Sequence, residues 1–136
     1  MEIDFLLQEP SADFNLASSY DLRILCNYDI IKSMSTNEKQ MIMGNQAIAL
    51  GALKAGVNLC AGYPGTPSSD IIEFISKYKE KTGTYVEWSV NEKAAVEVAA
   101  GASYAGSRTL VTMKQVGLNV ASDPVMCLSY VGVKSG

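Results

Sequence analysis

The sequence predicts an α/β domain with a doubly wound, mainly parallel sheet and helices on both faces. From about Gly44 onward, helical and strand patterns alternate at short intervals, which is typical of crossover connections that feed a parallel sheet. The chain has 136 residues and is 48% apolar, so it is large enough to bury the core of one domain. Glycine and proline breaks follow the predicted strands, at the edge where such sheets carry their ligand sites.

The predicted elements follow in a regular order from residue 44. They are a helix over 46–55 that ends at Gly56, a strand over 58–62, a helix over 71–81, a strand over 85–88, an alanine-rich helix over 92–104 that ends at Gly106, a strand over 109–113 and a helix over 120–130. Residues 131–134 resemble the approach to another strand, so we expect a fold truncated at Gly136. We assign no role to residues 1–43, an extension without this rhythm, and we expect the true start at Met34, Met41 or Met43.

Composition excludes several classes of function. The formal net charge of -3 provides no basic surface for nucleic acid or an anionic membrane. The absence of histidine excludes Ser-His-Asp hydrolysis and ordinary histidine-ligated zinc, and no metal ligands are expected in this chain. The three cysteines are Cys26, Cys60 and Cys127; their number and spacing indicate buried thiols in a reducing compartment. Because no apolar run could span a bilayer and no signal peptide begins the chain, we expect a cytoplasmic protein.

The first candidate site, residues 62–70, lies where a strand ends and a helix begins. Free backbone N–H groups at a helix start can bind an anion. Helix capping explains the same residues, since Thr66 is a favoured N-cap, Pro67 suits the first helical position and Asp70 complements the helix dipole. Local sequence therefore leaves both interpretations open and favours capping.

The second candidate site contains Glu92, at the next junction between a strand and a helix. Ser89 and Glu92 have the spacing of a capping box, which is the structural explanation of both residues. Alternatively, Glu92 lies in apolar surroundings and shares a proton with a ligand nitrogen. Glu87 and Glu97 are competing carboxylates, and we expect at most one of the three to face the same ligand.

The third candidate site is a glycine turn after the last predicted strand. Taken singly, its residues indicate little: Lys114 is typical of a solvated charge, and Asp123 with Pro124 is typical of a helix start. The turn itself contains Gly117 and Asn119.

Taken together, four ordered blocks carry a resemblance that covers roughly residues 44–136. They read GNQAIALGALKAGV, AGYPGTPSSDIIE, YVEWSVNEKAAVEVAAGASYAGSR and TMKQVGLNVASDP. These blocks resemble the α subunits of the 2-oxoacid:ferredoxin oxidoreductase family. The EWSVNE run and the MKQVGLNV run are similar to the indolepyruvate branch of that family.

The resemblance implies a thiamine diphosphate site whose pyrimidine side is supplied by this domain. It implies that Glu92 is the catalytic carboxylate that hydrogen-bonds the aminopyrimidine ring nitrogen. It implies that Thr66 contacts the substrate carboxylate. The cofactor-binding residues that follow from it are Glu92, Pro64, Gly65, Gly117 and Asn119.

The same resemblance implies an enzyme that oxidatively decarboxylates indolepyruvate and other aryl 2-oxoacids to acyl-CoA with ferredoxin as electron acceptor. A β subunit, a second α subunit, ferredoxin and coenzyme A are the implied partners. The chain contains no diphosphate motif and no ferredoxin-like cysteine run, so Mg²⁺ and [4Fe-4S] clusters are expected in other regions and the chain alone is expected to be inactive. The alternatives are a pyruvate or 2-oxoglutarate ferredoxin oxidoreductase α subunit and a non-catalytic α/β binding module.

Overall fold

The computed structural model describes residues 41–133 and residue 135. Its elements are α1 (Gly44–Lys54), β1 (Leu59–Gly62), α2 (Ser69–Ser76), α3 (Lys79–Thr82), β2 (Tyr85–Trp88), α4 (Glu92–Tyr104), β3 (Thr109–Thr112), α5 (Gly117–Val120) and α6 (Ser122–Val131). Residues 1–40, including Cys26, lie outside this range, as do Lys134 and Gly136. Of the two described cysteines, Cys60 is buried as predicted, whereas the prediction is wrong for Cys127, which is exposed on α6. Within the described residues, no helix combines the length and apolar character that a membrane crossing requires.

The three strands form a parallel sheet, as predicted, and their order in it is β2-β1-β3. Strand β1 lies in the centre, with Gly62 opposite both Trp88 and Thr112. The chain moves from β1 to one neighbour and then crosses to the other side of β1. In sheets of this order, the crevice between β1 and β3 at their carboxyl ends is the switch point where ligands bind.

Helices cover both faces of the sheet, which confirms the predicted architecture. On one face, Cys60 of β1 packs in a core against helices α1 and α2. The members of this core are Ala49, Leu53, Val57, Cys60, Ile72 and Ile75, with Val86 and Leu110 partly buried against it. On the other face, Thr109 and Val111 of β3 line a pocket with residues of α4 and α6. Because strand side chains alternate, β3 contributes Leu110 to one face and Thr109 and Val111 to the other.

The predicted helix over 71–81 is two helices. Helix α2 ends at Ser76, where the N–H groups of Lys77 and Tyr78 donate to the carbonyls of Phe74 and Ile75, respectively. These bonds to the third preceding residue tighten the turn and end the α-helical spacing. Helix α3 then ends at Gly83, whose φ of 67° is readily adopted only by glycine.

The start of α2 also differs from the prediction. The N-cap is Ser68, and Thr66 and Pro67 lie in the preceding turn. The hydroxyl groups of Ser68 and Ser69 both donate to the carbonyl of Gly65, at 3.0 and 3.2 Å. This local turn delays the helix by two residues, so Thr66 is not used as a cap.

The carboxyl-terminal elements differ as well. The predicted helix over 120–130 is preceded by the short helix α5, and α6 continues to Val131. The expected strand approach at 131–134 is wrong at Val131, which closes α6 where Gly132 adopts a φ of 76°. The N–H of Gly132 donates to the Leu128 carbonyl at 2.7 Å, so helical hydrogen bonding continues to this residue. These bonds keep Val131 in the helix although its β-branched side chain favours a strand.

Candidate functional site

The connections that follow the three strands meet at the carboxyl edge of the sheet. Gly65 follows β1, Glu92 follows β2, and Lys114 and Gly117 follow β3. Gly65 lies against the side chain of Lys114, and Gly117 lies against the side chain of Glu92. The structure therefore brings residues of all three predicted candidate sites together at the switch point of the sheet.

Glu92 is the first residue of α4, and Asn91 is the N-cap. The side chain of Asn91 accepts a hydrogen bond from the backbone N–H of Ala94 at 2.8 Å. The predicted capping box of Ser89 and Glu92 is wrong, because Ser89 lies too early and its hydroxyl instead donates to Glu87 at 2.9 Å. Asn91 satisfies the helix start, and Glu92 has no capping function.

The carboxylate of Glu92 is buried and incompletely bonded. Glu92 is 3% exposed, and its Oε1 atom has no hydrogen-bond partner within the described residues. Buried polar atoms without partners are rare in folded proteins, because each loses its hydrogen bonds to water without replacement. Chemically, Oε1 is an acceptor suited to an N–H donor of a ligand.

Gly117 forms one wall around this carboxylate. A Cβ atom on Gly117 would lie 2.7 Å from Oε1, 2.8 Å from Cγ and 3.1 Å from Cδ of Glu92. Only glycine leaves the space that the carboxylate occupies. The backbone N–H of Gly117 donates to the Lys114 carbonyl at 2.9 Å, which holds this turn in place.

Lys114 is the residue of the site that sequence reasoning missed. Its Nζ lies 3.8 Å from Oε1 of Glu92 and 5.8 Å from the centre of the Tyr63 ring. Its position two residues after a parallel strand could have identified it, because the carboxyl ends of neighbouring strands share one edge. As an isolated charge in the sequence it predicted only a solvated side chain.

The two competing carboxylates have other partners. Glu87 accepts hydrogen bonds from the hydroxyls of Tyr85, at 2.8 Å, and Ser89, at 2.9 Å. Glu97 is exposed and lies 4.0 Å from Lys93 on the same helix. Of the three candidates, Glu92 alone is buried, and it alone carries a buried oxygen without a partner.

The remaining predicted site residues differ in how far they are exposed to solvent. Gly65 is half-buried, and a Cβ atom there would lie 2.8 Å from Cβ of Lys114. Pro64 and Thr66, its two neighbours, are exposed. Asn119 is exposed in α5, and its backbone carbonyl accepts a hydrogen bond from the Ser122 hydroxyl at 2.9 Å.

Several ionisable groups elsewhere in the domain have shifted pKa values. Burial raises the pKa of the Cys60 thiol to about 12. A hydrogen bond of 2.7 Å from Lys93 to Asp123 raises the pKa of Lys93 and lowers that of Asp123. A hydrogen bond to Glu87, together with its negative charge, raises the pKa of Tyr85. These shifts arise from core burial and from surface pairs.

Comparison with protein families identifies one match. The family described as "Pyruvate flavodoxin/ferredoxin oxidoreductase, thiamine diP-bdg" matches residues 50–127. This range contains the connections after all three strands, and with them Gly65, Glu92, Lys114 and Gly117.

Curated relatives are oxidoreductase subunits. The chain is 47% identical over 112 residues to an indolepyruvate oxidoreductase subunit IorA of Archaeoglobus fulgidus, covering 79% of this chain and 18% of that protein. It is 47% identical over 108 residues to the subunit of the same name in Pyrococcus horikoshii, covering 79% and 17%. A ketoisovalerate oxidoreductase subunit VorB of Methanothermobacter thermautotrophicus is 32% identical over 90 residues, covering 66% and 26%. The chain thus spans less than a fifth of the indolepyruvate subunits it matches.

A solved structure supports the fold. A 2-oxoglutarate:ferredoxin oxidoreductase from Magnetococcus marinus, with 2-oxoglutarate, coenzyme A and succinyl-CoA bound, matches with a TM-score of 0.50. The match has 21% sequence identity and covers 68% of this chain and 18% of that one. At this identity the likeness concerns the fold, a parallel sheet with helices on both faces.

Proposed function

Because the chain belongs to the pyruvate flavodoxin/ferredoxin oxidoreductase family of thiamine diphosphate-binding domains, we propose that residues 44–136 hold the aminopyrimidine ring of that cofactor. Glu92 is the proposed hydrogen-bond partner of a ring nitrogen, with which its carboxyl group shares a proton. Because they lack side chains, Gly65 leaves space for the side chain of Lys114 and Gly117 leaves space for that of Glu92.

One observation carries this proposal: the buried Oε1 of Glu92 has no hydrogen-bond partner among residues 41–133 and 135. A ring nitrogen that shares a proton with Oε1 would supply the missing bond and offset the desolvation of the oxygen. Since Asn91 caps α4, the burial of Glu92 is not explained by helix capping. The donor chemistry of the site therefore fits an aminopyrimidine.

In the proposed mechanism, the residues of this chain bind and orient the cofactor and the substrate. Bound thiamine diphosphate supplies the nucleophilic carbon and the electron sink for decarboxylation. Glu92 holds or takes a proton at Oε1, in a position from which solvent is excluded. Gly117 keeps the carboxylate in place, and Thr66, exposed on the loop after β1, is a proposed contact of the substrate carboxylate. Pro64 and Asn119 are proposed to line the cofactor from the two flanking connections.

The proposed reaction of the whole enzyme is oxidative decarboxylation of indolepyruvate and other aryl 2-oxoacids to acyl-CoA, with ferredoxin as acceptor. The 47% identity to indolepyruvate oxidoreductase subunits, against 32% to a ketoisovalerate oxidoreductase subunit, favours aryl substrates. Since the relatives are named as subunits, we propose a β subunit and a second copy of the α subunit as partners. Mg²⁺ and iron-sulfur clusters are assigned to other regions of the enzyme, and the location is proposed to be cytoplasmic.

Glu92→Gln in the holoenzyme tests the proposal. The amide keeps the shape of the side chain but removes its negative charge, so turnover should fall by about two to four orders of magnitude, the usual scale for an acid–base group. Turnover of indolepyruvate, thiamine diphosphate affinity by calorimetry, and circular dichroism as a measure of folding form the assay.

Glu97→Gln is the matched control, since Glu97 is an exposed carboxylate on the same helix. It should leave turnover and affinity unchanged. If Glu92→Gln retains wild-type turnover, or if the wild-type enzyme does not bind thiamine diphosphate, the proposed function is wrong.

A further inference from the structure

Lys114 places a positive charge beside the buried carboxylate. Its Nζ lies 3.8 Å from Glu92 Oε1, which is within the range of an ion pair but too long for a hydrogen bond. On another side, Nζ lies 5.8 Å from the centre of the Tyr63 ring, within the range of a cation–π contact. The side chain is 40% exposed, so the ammonium lies at the border between Glu92 and solvent.

The stem of Lys114 is fixed more firmly than its head. Because Gly65 lacks a side chain, Cβ, Cγ and Cδ of Lys114 pack against it, at 2.8, 3.2 and 3.0 Å from the position a Cβ would take. The backbone carbonyl of Lys114 accepts the 2.9 Å hydrogen bond from Gly117. The ammonium, by contrast, is held by one long ion pair and one ring contact, so it can turn while the stem remains in place.

Access to Glu92 requires a neighbouring side chain to move. Oε1 is inaccessible to solvent, and a ligand nitrogen that bonds to it has to reach it past the groups that cover it. Lys114 is partly exposed, long and only loosely bonded at its head, so it is placed to move aside. Once it leaves Glu92, its ammonium can pair with another anion at the same edge of the sheet.

We propose that Lys114 binds the carboxylate of the 2-oxoacid substrate, and that its ammonium leaves Glu92 when the cofactor nitrogen takes the place beside Oε1. This inference rests on the proposed function. It makes Lys114 a substrate-binding residue and explains why Gly65 has no side chain: the loop after β1 must let the lysine stem lie across it. Thr66 follows on the same loop, next to the position where the carboxylate would bind.

Chemical labelling of the amine tests both steps without turnover. The complete enzyme, first freed of thiamine diphosphate and then reloaded with it, is treated briefly with acetic anhydride, and the acetylation rates of Lys114 and Lys77 are measured in both states by peptide mass spectrometry. Thiamine diphosphate should raise the rate at Lys114 by releasing its ammonium from Glu92. Indolelactate, which has the carboxylate but no 2-oxo group to react, should then lower that rate, whereas uncharged indole-3-ethanol should not.

Lys77 is the matched control for this experiment. It is exposed, and its Nζ lies 5.8 Å from the centre of the Phe74 ring, the same distance that separates Lys114 from Tyr63. Lys77 caps α2 at the end away from the site, so its labelling rate should follow neither ligand.

Kinetics of variants provide the second test. Lys114→Met should raise KM for indolepyruvate about 10- to 100-fold, the scale of one lost hydrogen bond to a charged group, with a smaller change in kcat. Thiamine diphosphate affinity should be retained, because the competing cation near Glu92 is gone. Lys114→Arg should recover most of the KM, and Lys77→Met should match the wild type.

The outcomes separate the two proposals. If the wild-type enzyme binds thiamine diphosphate and oxidises indolepyruvate but indolelactate leaves the labelling of Lys114 unchanged, the role of Lys114 is wrong and the proposed function stands. Shielding of Lys114 by thiamine diphosphate alone would also overturn that role, as would a Lys114→Met variant that loses kcat and cofactor affinity at unchanged KM. If the wild-type enzyme neither binds the cofactor nor oxidises 2-oxoacids, both proposals fail.

Discussion

Gly117→Ala tests whether the carboxylate of Glu92 depends on the glycine wall beside it. The added Cβ would lie 2.7 Å from Oε1, whereas ordinary van der Waals contact begins at 3.4 Å, so the carboxylate must retreat by about 0.7 Å. The backbone at Gly117 is not in the left-handed region, so the strain comes from this contact alone. Overpacking on this scale costs about 1 to 3 kcal/mol of folding free energy.

The effect on activity should exceed the effect on stability. A misplacement of about 1 Å in a catalytic site reduces rate by about 100-fold, so a shift of about 0.7 Å should reduce turnover by about 10- to 100-fold. The assay combines urea unfolding with calorimetric binding of thiamine diphosphate and turnover of indolepyruvate. In the Glu92→Gln background, Gly117→Ala should have little further effect on turnover, because both changes act on the same group.

Gly101→Ala is the control. Gly101 is exposed in the interior of α4, the helix that begins with Glu92, and a Cβ atom there meets nothing within 4 Å. Alanine at this position should stabilise the protein by about 0.5 to 1 kcal/mol and leave turnover unchanged. A Gly117→Ala variant with wild-type turnover and cofactor affinity would refute the inference that the position of Glu92 is set by this contact.

Two further predictions concern the framework of the site. Asn91→Ala removes the hydrogen bond to the Ala94 N–H and should lower the free energy of unfolding by about 1 kcal/mol in urea titrations; an unchanged midpoint would contradict the assigned cap. Burial raises the pKa of Cys60 from 9.0 to about 12, so between these pH values the folded state binds more protons than the unfolded state. The contribution of the protonated thiol to the free energy of unfolding is therefore complete below pH 9 and is lost as the pH rises toward 12. Iodoacetamide at pH 8 should therefore modify exposed Cys127 much faster than buried Cys60 in peptide maps, and equal rates would show that the Cys60 environment opens.

The order of the elements could be predicted from the sequence because it depends on local patterns. Alternating apolar periods, the alanine-rich run of α4 and the glycines that end helices are all contained in short segments. The bounds of α4 agree with the prediction, but the residues that cap the starts of α2 and α4 could not be predicted as well. At each, several Ser, Thr and Asn side chains compete as caps, and the choice depends on how the preceding loop folds: Ser68 and Ser69 bond to Gly65, and Ser89 bonds to Glu87.

The sequence by itself determined the doubly wound sheet, the family resemblance and the choice of Glu92 as the candidate acid. Only the tertiary structure decided which of the three candidate glutamates is buried, that Oε1 of Glu92 lacks a hydrogen-bond partner in the part of the chain that the structure describes, and that Lys114 lies beside it. The physical reason is that Glu92 and Lys114 are separated along the chain by α4 and β3 and meet because parallel strands end at one edge. Neither the local apolar periodicity nor the charge of a single lysine in the sequence predicts such a contact.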